Sequence, residues 1–376
     1  MSDMASVKDP ASEGRKAERP GRAGIGAVLD GQWQALVSSR RDQTRLAVIV
    51  LLLVFVLLGL PSLFSAYYID AATQTAIYAP VALGLGLLVG RVGMVSLGQA
   101  AVLSLGAWIA ARLLFGTGLP FEIVLLLSGV ITMVLGTLVG LPALRLSGLY
   151  LALITLMMAG AITVVLATTN FPNGGHGFLG YNGGALHIPA IRRPGIATSD
   201  PAFFRYSVIV AVLMFVLVLA HLRTRPGRAW VSIRQSEYAA LAAGINTTLY
   251  KLWAFALASF ITGVAGGLLA GADKFLYSID FQTQDSITLL AVVLMGGVFS
   301  MWGAVIAAIL MQFFPQLLQN IGVNSDWLII LFGVGVLQVL ATAPAGIVDQ
   351  LPKDLARLYR LIVRGRRRAA ASGGTG

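Results

Sequence analysis

Long apolar blocks separated by short polar segments run along most of the chain. Each block is close to the roughly 20 residues that an α-helix needs to cross the hydrocarbon core of a bilayer. The blocks lack the strict alternation of apolar and polar residues that marks outer-membrane strands. The pattern predicts membrane-spanning helices at about 46–67, 74–90, 92–114, 121–142, 149–169, 205–222, 252–272, 286–319 and 327–345.

The block at 286–319 is too long for one span. At a rise of 1.5 Å per residue, one helix over this range would be about 50 Å long, whereas the hydrocarbon core is about 30 Å thick. Its centre holds Gly296, Gly297, Ser300, Trp302 and Gly303. Two short spans fit this block better, which predicts an all-α integral membrane protein with about ten transmembrane helices.

Basic residues indicate which side of the membrane each end of the helices faces. The formal net charge is +11, and Lys and Arg collect in the cytoplasmic segments of membrane proteins. Both tails are strongly basic, so we expect both termini in the cytoplasm and an even number of spans. Arg91, Arg145 and the loop at 223–251 agree with this orientation. The external side then keeps Arg112, Arg192, Arg193, Arg205 and Lys274.

The chain divides into one membrane domain and two tails. Residues 1–45 are rich in Gly, Ala, Ser and charge, without the apolar core of a signal peptide, and we predict a largely disordered cytoplasmic tail. The transmembrane domain covers 46–345, with an external loop at 170–204 and a cytoplasmic loop at 223–251. Residues 346–376 form a basic cytoplasmic tail. We expect a multi-pass protein of the cell (inner) membrane that contacts lipid and no nucleic acid.

The sequence shows no cluster of residues typical of a catalytic site. The chain contains no cysteine, which excludes disulfides, thiolate metal sites and thiol nucleophiles. No G-x-x-x-x-G-K-[ST] loop occurs, so the chain lacks that cradle for nucleotide phosphates. His176 lies in the external loop without nearby metal-ligating partners. We predict no catalytic residue, cofactor or metal in this chain.

The cytoplasmic loop at 223–251 is the most informative polar segment. Pro226 and Gly227 end the preceding helix, and the pattern from 229 to 243 predicts one short amphipathic helix. Gly244 is a helix stop signal, and Asn246 to Thr248 begin the next helix. The apolar positions are Trp230, Ile233, Tyr238 and Leu241. A helix that merely lies on lipid headgroups is the alternative interpretation.

Four stretches carry a more specific signal. They are GRAWVSIRQSEYAALAAGINTTLYKLWAFALASFITGVAGGLLA from Gly227, VGMVSLGQAAVLSLGAWIAA at 92–111, RLSGLYLALITLMMAGAITVV with NGGHGFLG at 145–180, and LLAVVLMGGVFSMWGAVIAAIL at 289–310. They resemble the permease subunits of branched-chain amino acid ABC importers, the LivM-like family. The resemblance covers about 90–345 in the order found in that family.

The resemblance implies a type II ABC importer-like permease that works by alternating access. Its expected partners are two ABC ATPase subunits that bind ATP and Mg²⁺, a second permease that is usually a paralogue, and a soluble substrate-binding protein. The amphipathic helix would dock its apolar side chains in a groove on the ATPase. The coupling-loop positions that match the family are Gly227, Arg228, Ile233, Arg234, Glu237, Ala242, Gly244, Ile245 and Asn246.

Polar residues inside apolar spans are the candidates for the translocation path. An amide in a span needs a hydrogen-bond partner and should face other helices or water. Ser96, Gly98, Gln99 and Thr155 are the candidates, although a purely structural hydrogen bond between helices explains each one equally well. Gly263, Gly267 and Gly271 recur every four residues and predict a helix-packing stripe.

The sequence indicates the class of protein more clearly than the cargo. Members of the family often carry a carboxylate in the middle of the fifth span, where this chain has Met157, Met158, Ala159 and Gly160. No acidic residue or His lies well inside a predicted span, which disfavours ion-coupled transport. Branched-chain or related apolar amino acids are the expected cargo. Urea or another small amide is the alternative cargo, and a stand-alone secondary transporter or channel is the alternative class.

Overall fold

The computed structural model describes residues 40–143, 148–168, 191–273, 276–277 and 280–322, with a few positions between 327 and 348. Regular structure within these residues is helical, as predicted. The predicted N-terminal tail up to 39, the glycine-rich part of the external loop with His176, and the C-terminal tail from 349 lie outside the described residues. The chain falls into two units, Met1–Leu60 and Pro61–Gly376.

The first unit contains α1 (Arg40–Val54), which continues as a π-helical turn at Phe55–Gly59. A short helix, Leu60–Leu63, follows in the chain. The helices of the second unit are α2 (Ala66–Gly86), α3 (Gln99–Thr117), α4 (Phe121–Ala143), α5 (Leu149–Thr168), α6 (Asp200–Arg223), α7 (Arg225–Gln235), α8 (Glu237–Ala242), α9 (Thr247–Asp273), α10 (Thr283–Gly296), α11 (Met301–Ala308) and α12 (Phe314–Asn320). The π-helical segment Leu87–Val92 extends α2, and Ile309–Phe313 joins α11 to α12.

Seven helices in the described residues are long and apolar enough to cross a membrane. They are Ala66–Val92, Gln99–Thr117, Phe121–Leu138, Tyr150–Thr168, Asp200–Arg223, Thr247–Asp273 and Met301–Asn320. Two shorter apolar helices, Ala47–Leu63 and Thr283–Gly296, lie where further spans were predicted. The predicted span at 327–345 lies mostly outside the described residues. The total of ten therefore stays a prediction.

The long block at 286–319 is divided in the structure, as its central glycines predict. Helix α10 ends at Gly296 and α11 begins at Met301. We call the non-helical residues between them the 297–300 break. Gly297 has a φ of 114°, a backbone conformation that residues with a Cβ seldom adopt.

The third predicted span, 92–114, is wrong at its start. Residues 93–98 are non-helical and α3 begins only at Gln99. We call these residues the 93–98 segment. Gly93 has a φ of 82° and ends the preceding helix. Arg112, counted above with the external residues, lies inside α3 rather than in a loop.

Helix α9 forms the centre of the second unit and is almost wholly buried. Its predicted glycine stripe lies against α4. A Cβ on Gly263 would come within 2.5 Å of the Thr132 Cβ, and one on Gly267 within 2.9 Å of Leu125. On another side of α9, a Cβ on Gly106 of α3 would lie 2.7 Å from the Gly263 backbone. Small residues therefore bring three helices into close contact, as is typical of membrane bundles.

Polar side chains mark the two ends of this bundle. At one end, which we call the Asp273 end, the Gln74 side chain donates a hydrogen bond to Asp273 at 2.6 Å. Arg193 donates to the carbonyl oxygens of Gly271 at 3.0 Å and Ala272 at 3.2 Å, and also pairs with Asp200. This guanidinium satisfies carbonyl groups that the last turn of α9 leaves without helical partners. The opposite end, where α2 finishes, is called the Arg91 end.

Candidate translocation and coupling sites

The 93–98 segment places non-helical backbone inside the bundle. Such backbone is tolerated at membrane depth only where protein buries it or where it lines a watery cavity. The Leu97 N–H donates to the Thr155 hydroxyl oxygen at 2.9 Å, and the Met94 N–H donates to the Leu88 carbonyl at 2.9 Å. Ser96 is buried and its hydroxyl oxygen lies 3.4 Å from the Gly98 nitrogen. Side-chain hydroxyls and one backbone carbonyl thus replace hydrogen bonds that a continuous helix would have provided.

Thr155 holds the 93–98 segment against α5. Its hydroxyl accepts the Leu97 N–H, and it lies 3.0 Å from the carbonyl oxygens of both Leu151 and Ala152 one turn earlier. With a backbone donor and a backbone acceptor both satisfied, this hydroxyl positions the segment. Sequence reasoning placed Thr155 among the path residues, and the structure indicates a positioning contact for it.

Gln99 follows the segment as the first residue of α3 and is 1% exposed. Its side-chain nitrogen donates to the Thr262 hydroxyl on α9 at 3.1 Å. Its side-chain oxygen is buried and has no hydrogen-bond partner in the described part of the chain. A Cβ on Gly84 of α2 would lie 3.2 Å from the same amide nitrogen, so α2 packs closely beside it. The structure therefore brings Ser96, Gly98, Gln99 and Thr155 together, and Gln99 offers the open acceptor.

At the Arg91 end, the end of α2 meets the 297–300 break. A Cβ on Gly90 would overlap the Val298 carbonyl oxygen, so only glycine fits this contact. Arg91 donates to the Phe299 carbonyl oxygen at 3.0 Å. A pocket of about 20 Å³ beside these residues is lined by α2 with its π-helical extension, α6, α10, the break and α11, which is room for roughly one water molecule. The pocket is too small for an amino acid, so it carries no cargo assignment.

Arg234 of α7 joins the loop at 223–251 to both interruptions. Its guanidinium donates to the Gly90 carbonyl oxygen at 2.6 Å and lies 4.3 Å from the centroid of the Phe299 ring. Gly90, Arg91, Arg234 and Phe299 together are called the Arg234 junction. The hydrogen bond uses a charged donor and the ring contact is a cation–π interaction, both stronger than ordinary neutral contacts. Any displacement of α7 therefore acts on the ends of two broken helices.

The loop at 223–251 contains two helices, so the predicted single helix over 229–243 is wrong. Ser236 is extended between α7 and α8, and its hydroxyl accepts the Ala239 N–H as an N-cap. Two predicted signals are confirmed: Gly244 has a φ of 78° where α8 stops, and Asn246 accepts the Leu249 N–H at the start of α9. Together the two helices are called the α7–α8 pair.

The break at Ser236 splits the predicted apolar face. Trp230 is 0% exposed and donates to the Tyr250 carbonyl oxygen at 2.8 Å, and Ile233 is also buried. Tyr238 and Leu241 are 86% and 51% exposed. The expectation that all four face a partner is therefore wrong, because the extended residue turns α8 relative to α7. Only Tyr238 and Leu241 remain available on that surface.

The remaining coupling-loop residues fall into two groups. Gly227 packs so tightly that a Cβ would overlap the Leu222 carbonyl oxygen, and Glu237 accepts a hydrogen bond from Lys251 at 2.7 Å. These two residues hold the α7–α8 pair to the membrane helices. Exposed or half-exposed positions are Arg228, Ala242, Gly244, Ile245 and Asn246.

Sequence reasoning missed the glycines of α4 and the partners of Arg234. A Cβ on Gly129 would lie 2.6 Å from Val264, and one on Gly140 would lie 2.8 Å from Phe255 of α9. Gly129, Gly136 and Gly140 recur at helical spacing, a signal that could have been found. No pattern in the sequence pairs Arg234 with Phe299. Among the described residues, no group of His and acidic side chains could hold a metal ion.

Comparison with known proteins gives consistent matches. A family model described as branched-chain amino acid transport system, permease component, matches residues 67–340, more than half of the chain. The high-affinity branched-chain amino acid transport system permease protein LivM of Salmonella typhimurium is 31% identical over 304 residues, covering 74% of this chain and 70% of LivM. LivM of Escherichia coli is 30% identical with the same coverage. The fructose import permease protein FrcC of Rhizobium meliloti is 29% identical over 161 residues, 41% of this chain and 43% of FrcC. No solved structure matches the chain.

Proposed function

The chain belongs to the family of ABC-type permease components of branched-chain amino acid transport systems, and we propose that it is one membrane subunit of an ATP-driven importer. The proposed cargo is a branched-chain or related apolar amino acid. The names of the two LivM relatives support this cargo, whereas the FrcC relative makes a sugar the competing cargo to test. The protein itself is a multi-pass membrane protein and a transport subunit rather than an enzyme.

The Arg91 end is proposed to face the cytoplasm. Arg91, Arg223, Arg225, Arg228 and Arg234 gather at this end, in agreement with the excess of basic residues in cytoplasmic segments. With the predicted ten spans, both termini would then lie in the cytoplasm. The protein itself would lie in the inner membrane of the cell. The Asp273 end would face a soluble substrate-binding protein outside.

The observation that carries the proposal is the exposed apolar tip of the α7–α8 pair. Tyr238 and Leu241 are exposed on a helix outside the spans, while Trp230, Gly227 and the Glu237–Lys251 pair anchor the rest of the loop. An apolar tip on a rigid base fits insertion into a groove on an ATPase subunit. The proposed assembly contains two ATPases, which would bind ATP and Mg²⁺, and a second, paralogous permease.

The Arg234 junction supplies a route from the ATPase to the interior. Movement of α8 would displace α7, and Arg234 would transmit that displacement to Gly90 and Phe299. Gly90 lies near the end of the helix that precedes the 93–98 segment, and Phe299 lies in the 297–300 break before α11. The helix ends would act as hinges, which are often residues at element termini. Gln99, at the far end of the 93–98 segment, would then meet the cargo in one state only, as alternating access requires.

A substitution at the tip tests the coupling proposal. Leu241→Asp places a charge in the proposed groove and should abolish co-purification of the ATPase subunits and ATP-driven uptake. Ile321→Asp is the matched control, because Ile321 is 70% exposed and lies next to Asn320, whose side chain bonds to Tyr68 at the Asp273 end. Normal ATPase binding by Leu241→Asp, or equal loss by the control, would contradict the proposed docking surface.

The cargo and the transporter class are tested by reconstitution in lipid vesicles. Uptake of labelled leucine should require the ATPase subunits, the binding protein and internal ATP. Labelled fructose and urea provide the competing cargoes. Uptake of fructose or urea but not leucine would replace the proposed cargo, and uptake without the ATPases would favour a stand-alone transporter or channel.

A further inference from the structure

Arg112 is a cation in the interior of a membrane helix. It belongs to α3 (Gln99–Thr117) and is 3% exposed. A helix turns about 100° per residue, so Arg112 lies roughly 140° round α3 from the Gly106 and Ala110 positions that contact α9. The side chain therefore leaves α3 on the side away from α9. Charged residues inside membrane helices are rare and usually functional.

The Arg112 guanidinium has no protein partner in the part of the chain that the structure describes. None of its three nitrogens, Nε, Nη1 and Nη2, has a hydrogen-bond acceptor. Arg193, Arg234 and Arg91 each bind carbonyl oxygens, and Arg193 also pairs with a carboxylate. A buried charge without a partner destabilises a protein strongly.

The sequence around Arg112 does not supply the missing counter-ion. Glu122 is the only acidic residue between Asp70 and Asp200, and it forms no ion pair with Arg112. That range includes α3, α4, α5 and the external loop as far as Ser199. The negative charge that balances Arg112 is therefore expected from a bound molecule.

We propose that Arg112 binds the carboxylate group of the cargo. The guanidinium presents parallel N–H donors in a planar fork, which matches the two oxygens of a carboxylate. Arg112 lies 13 residues after Gln99, about 20 Å along the axis at 1.5 Å per residue. The carboxylate site therefore lies toward the Asp273 end, with Gln99 deeper along the same helix. This inference rests on the proposed function for the identity of the cargo as an amino acid.

Thermal unfolding of the purified protein in lipid nanodiscs tests the inference without any partner subunit. The probes are isovalerate and isovaleramide, which share a branched chain but differ in the carboxylate, at constant sodium chloride concentration. A ligand that binds only the folded state raises the melting temperature. Isovalerate should raise the melting temperature by a few degrees, and isovaleramide should leave it unchanged.

Three variants separate binding from structural support. Arg112→Gln should lose the isovalerate shift, and Arg112→Lys, which keeps the charge without the fork, should retain part of it. Arg192→Gln removes an exposed external charge and should retain the whole shift. Without ligand, Arg112→Gln should melt at the same or a higher temperature than the unchanged protein, because it removes an unpaired buried charge.

The result that overturns the inference is an isovalerate shift that persists in Arg112→Gln. A melting temperature that falls in Arg112→Gln without ligand would also overturn it, because that fall indicates a structural partner. Equal shifts with phosphate, or a shift that appears only with anionic lipid, would assign a general anion or lipid site instead. Leucine uptake is measured separately in vesicles. If uptake fails while the shift and its loss in Arg112→Gln persist, the carboxylate site stands and the proposed cargo falls.

Discussion

The 93–98 segment and the 297–300 break both interrupt helices, but different forces hold them. The 93–98 segment is held by side-chain hydrogen bonds, of which the Leu97 N–H to Thr155 contact at 2.9 Å is the shortest to a side chain. The 297–300 break is held by backbone contact: a Cβ on Gly90 would overlap Val298, and one on Gly303 would overlap the Gly297 carbonyl oxygen. The 93–98 segment depends mainly on replaceable polar groups, whereas the 297–300 break depends mainly on close backbone contact, to which the Arg91 hydrogen bond to Phe299 adds.

This difference separates two kinds of role. Backbone contact between glycines is stiff and tolerates little change, which suits a joint that transmits force. A side-chain network leaves individual acceptors open, such as the Gln99 amide oxygen, which suits recognition of a polar group on a cargo. The two regions meet at the Arg234 junction, where Arg234 contacts Gly90 and Phe299. Substitutions in each region should therefore give different signatures.

The largest effect is expected from Gly90→Ala. The added methyl group would overlap the Val298 carbonyl oxygen, and overpacking of this kind destabilises by about 3 kcal/mol. Gly116→Ala is the matched control, because a Cβ there meets nothing within 4 Å and alanine favours a helix interior by about 0.5–1 kcal/mol. Thermal unfolding in detergent should show opposite signs for the two variants. Equal melting temperatures would mean that the contact between the end of α2 and the 297–300 break is not rigid.

Arg234→Gln should have the next largest effect, because it removes the link between α7 and both interruptions. Loss of a hydrogen bond from a charged group and of the ring contact should lower stability by about 2 kcal/mol. Leucine transported per ATP hydrolysed should fall at least tenfold while ATP hydrolysis continues. Gln235→Ala, an exposed neighbour, is the control and should keep normal coupling. Normal coupling in Arg234→Gln would contradict the proposed transmission route.

Thr155→Val should remove a hydrogen bond that holds the 93–98 segment and leave the contacts of the 297–300 break unchanged. The Leu97 N–H would lose its acceptor in a partly buried site, which costs about 1–2 kcal/mol, whereas Thr155→Ser restores the hydroxyl and should recover most of the loss. Thr137→Val is the control, because among the described residues the Thr137 hydroxyl bonds to the Met133 carbonyl of its own helix and to no other segment. The change is measured as a shift in melting temperature. A larger fall in melting temperature in Thr137→Val than in Thr155→Val would contradict the proposal that the Thr155 hydrogen bond to Leu97 stabilises the 93–98 segment.

The same contrast explains how far the sequence predicts the fold. The glycines at 296, 297 and 303 predict the division of 286–319, because they remove side chains where two helices must end. Hydropathy predicts the 93–98 segment as part of a span, because its residues GMVSLG are mostly apolar whether or not they are helical, and hydropathy reports the environment of a residue rather than its φ and ψ. Its pairing depends on Thr155, which is distant in the chain.

The candidate sites, too, could be predicted from the sequence only in part. Ser96, Gly98, Gln99 and Thr155 could be singled out because polar groups in apolar spans need partners, but Thr155 is satisfied by backbone while Gln99 keeps an open acceptor. The apolar face of the coupling loop was assigned by helical periodicity, which fails where Ser236 interrupts the helix. Long-range contacts such as Arg234 to Phe299 leave no local pattern, so only the structure reveals them.

The smallest effect on stability is expected from Gln99→Leu, which makes it the sharpest test of the translocation path. The variant loses the hydrogen bond to Thr262, about 1 kcal/mol, but it also removes a buried oxygen without a partner and adds apolar contact. The melting temperature should therefore change little, while leucine uptake should fall at least tenfold because the open acceptor is gone. Ser259→Ala is the control, since it removes a different buried polar atom without a described partner, the Ser259 hydroxyl beside Gly136 of α4, and should keep normal uptake. Normal uptake in Gln99→Leu would leave the 93–98 segment as a structural interruption, and the contrast between a rigid joint and a recognition site would no longer hold.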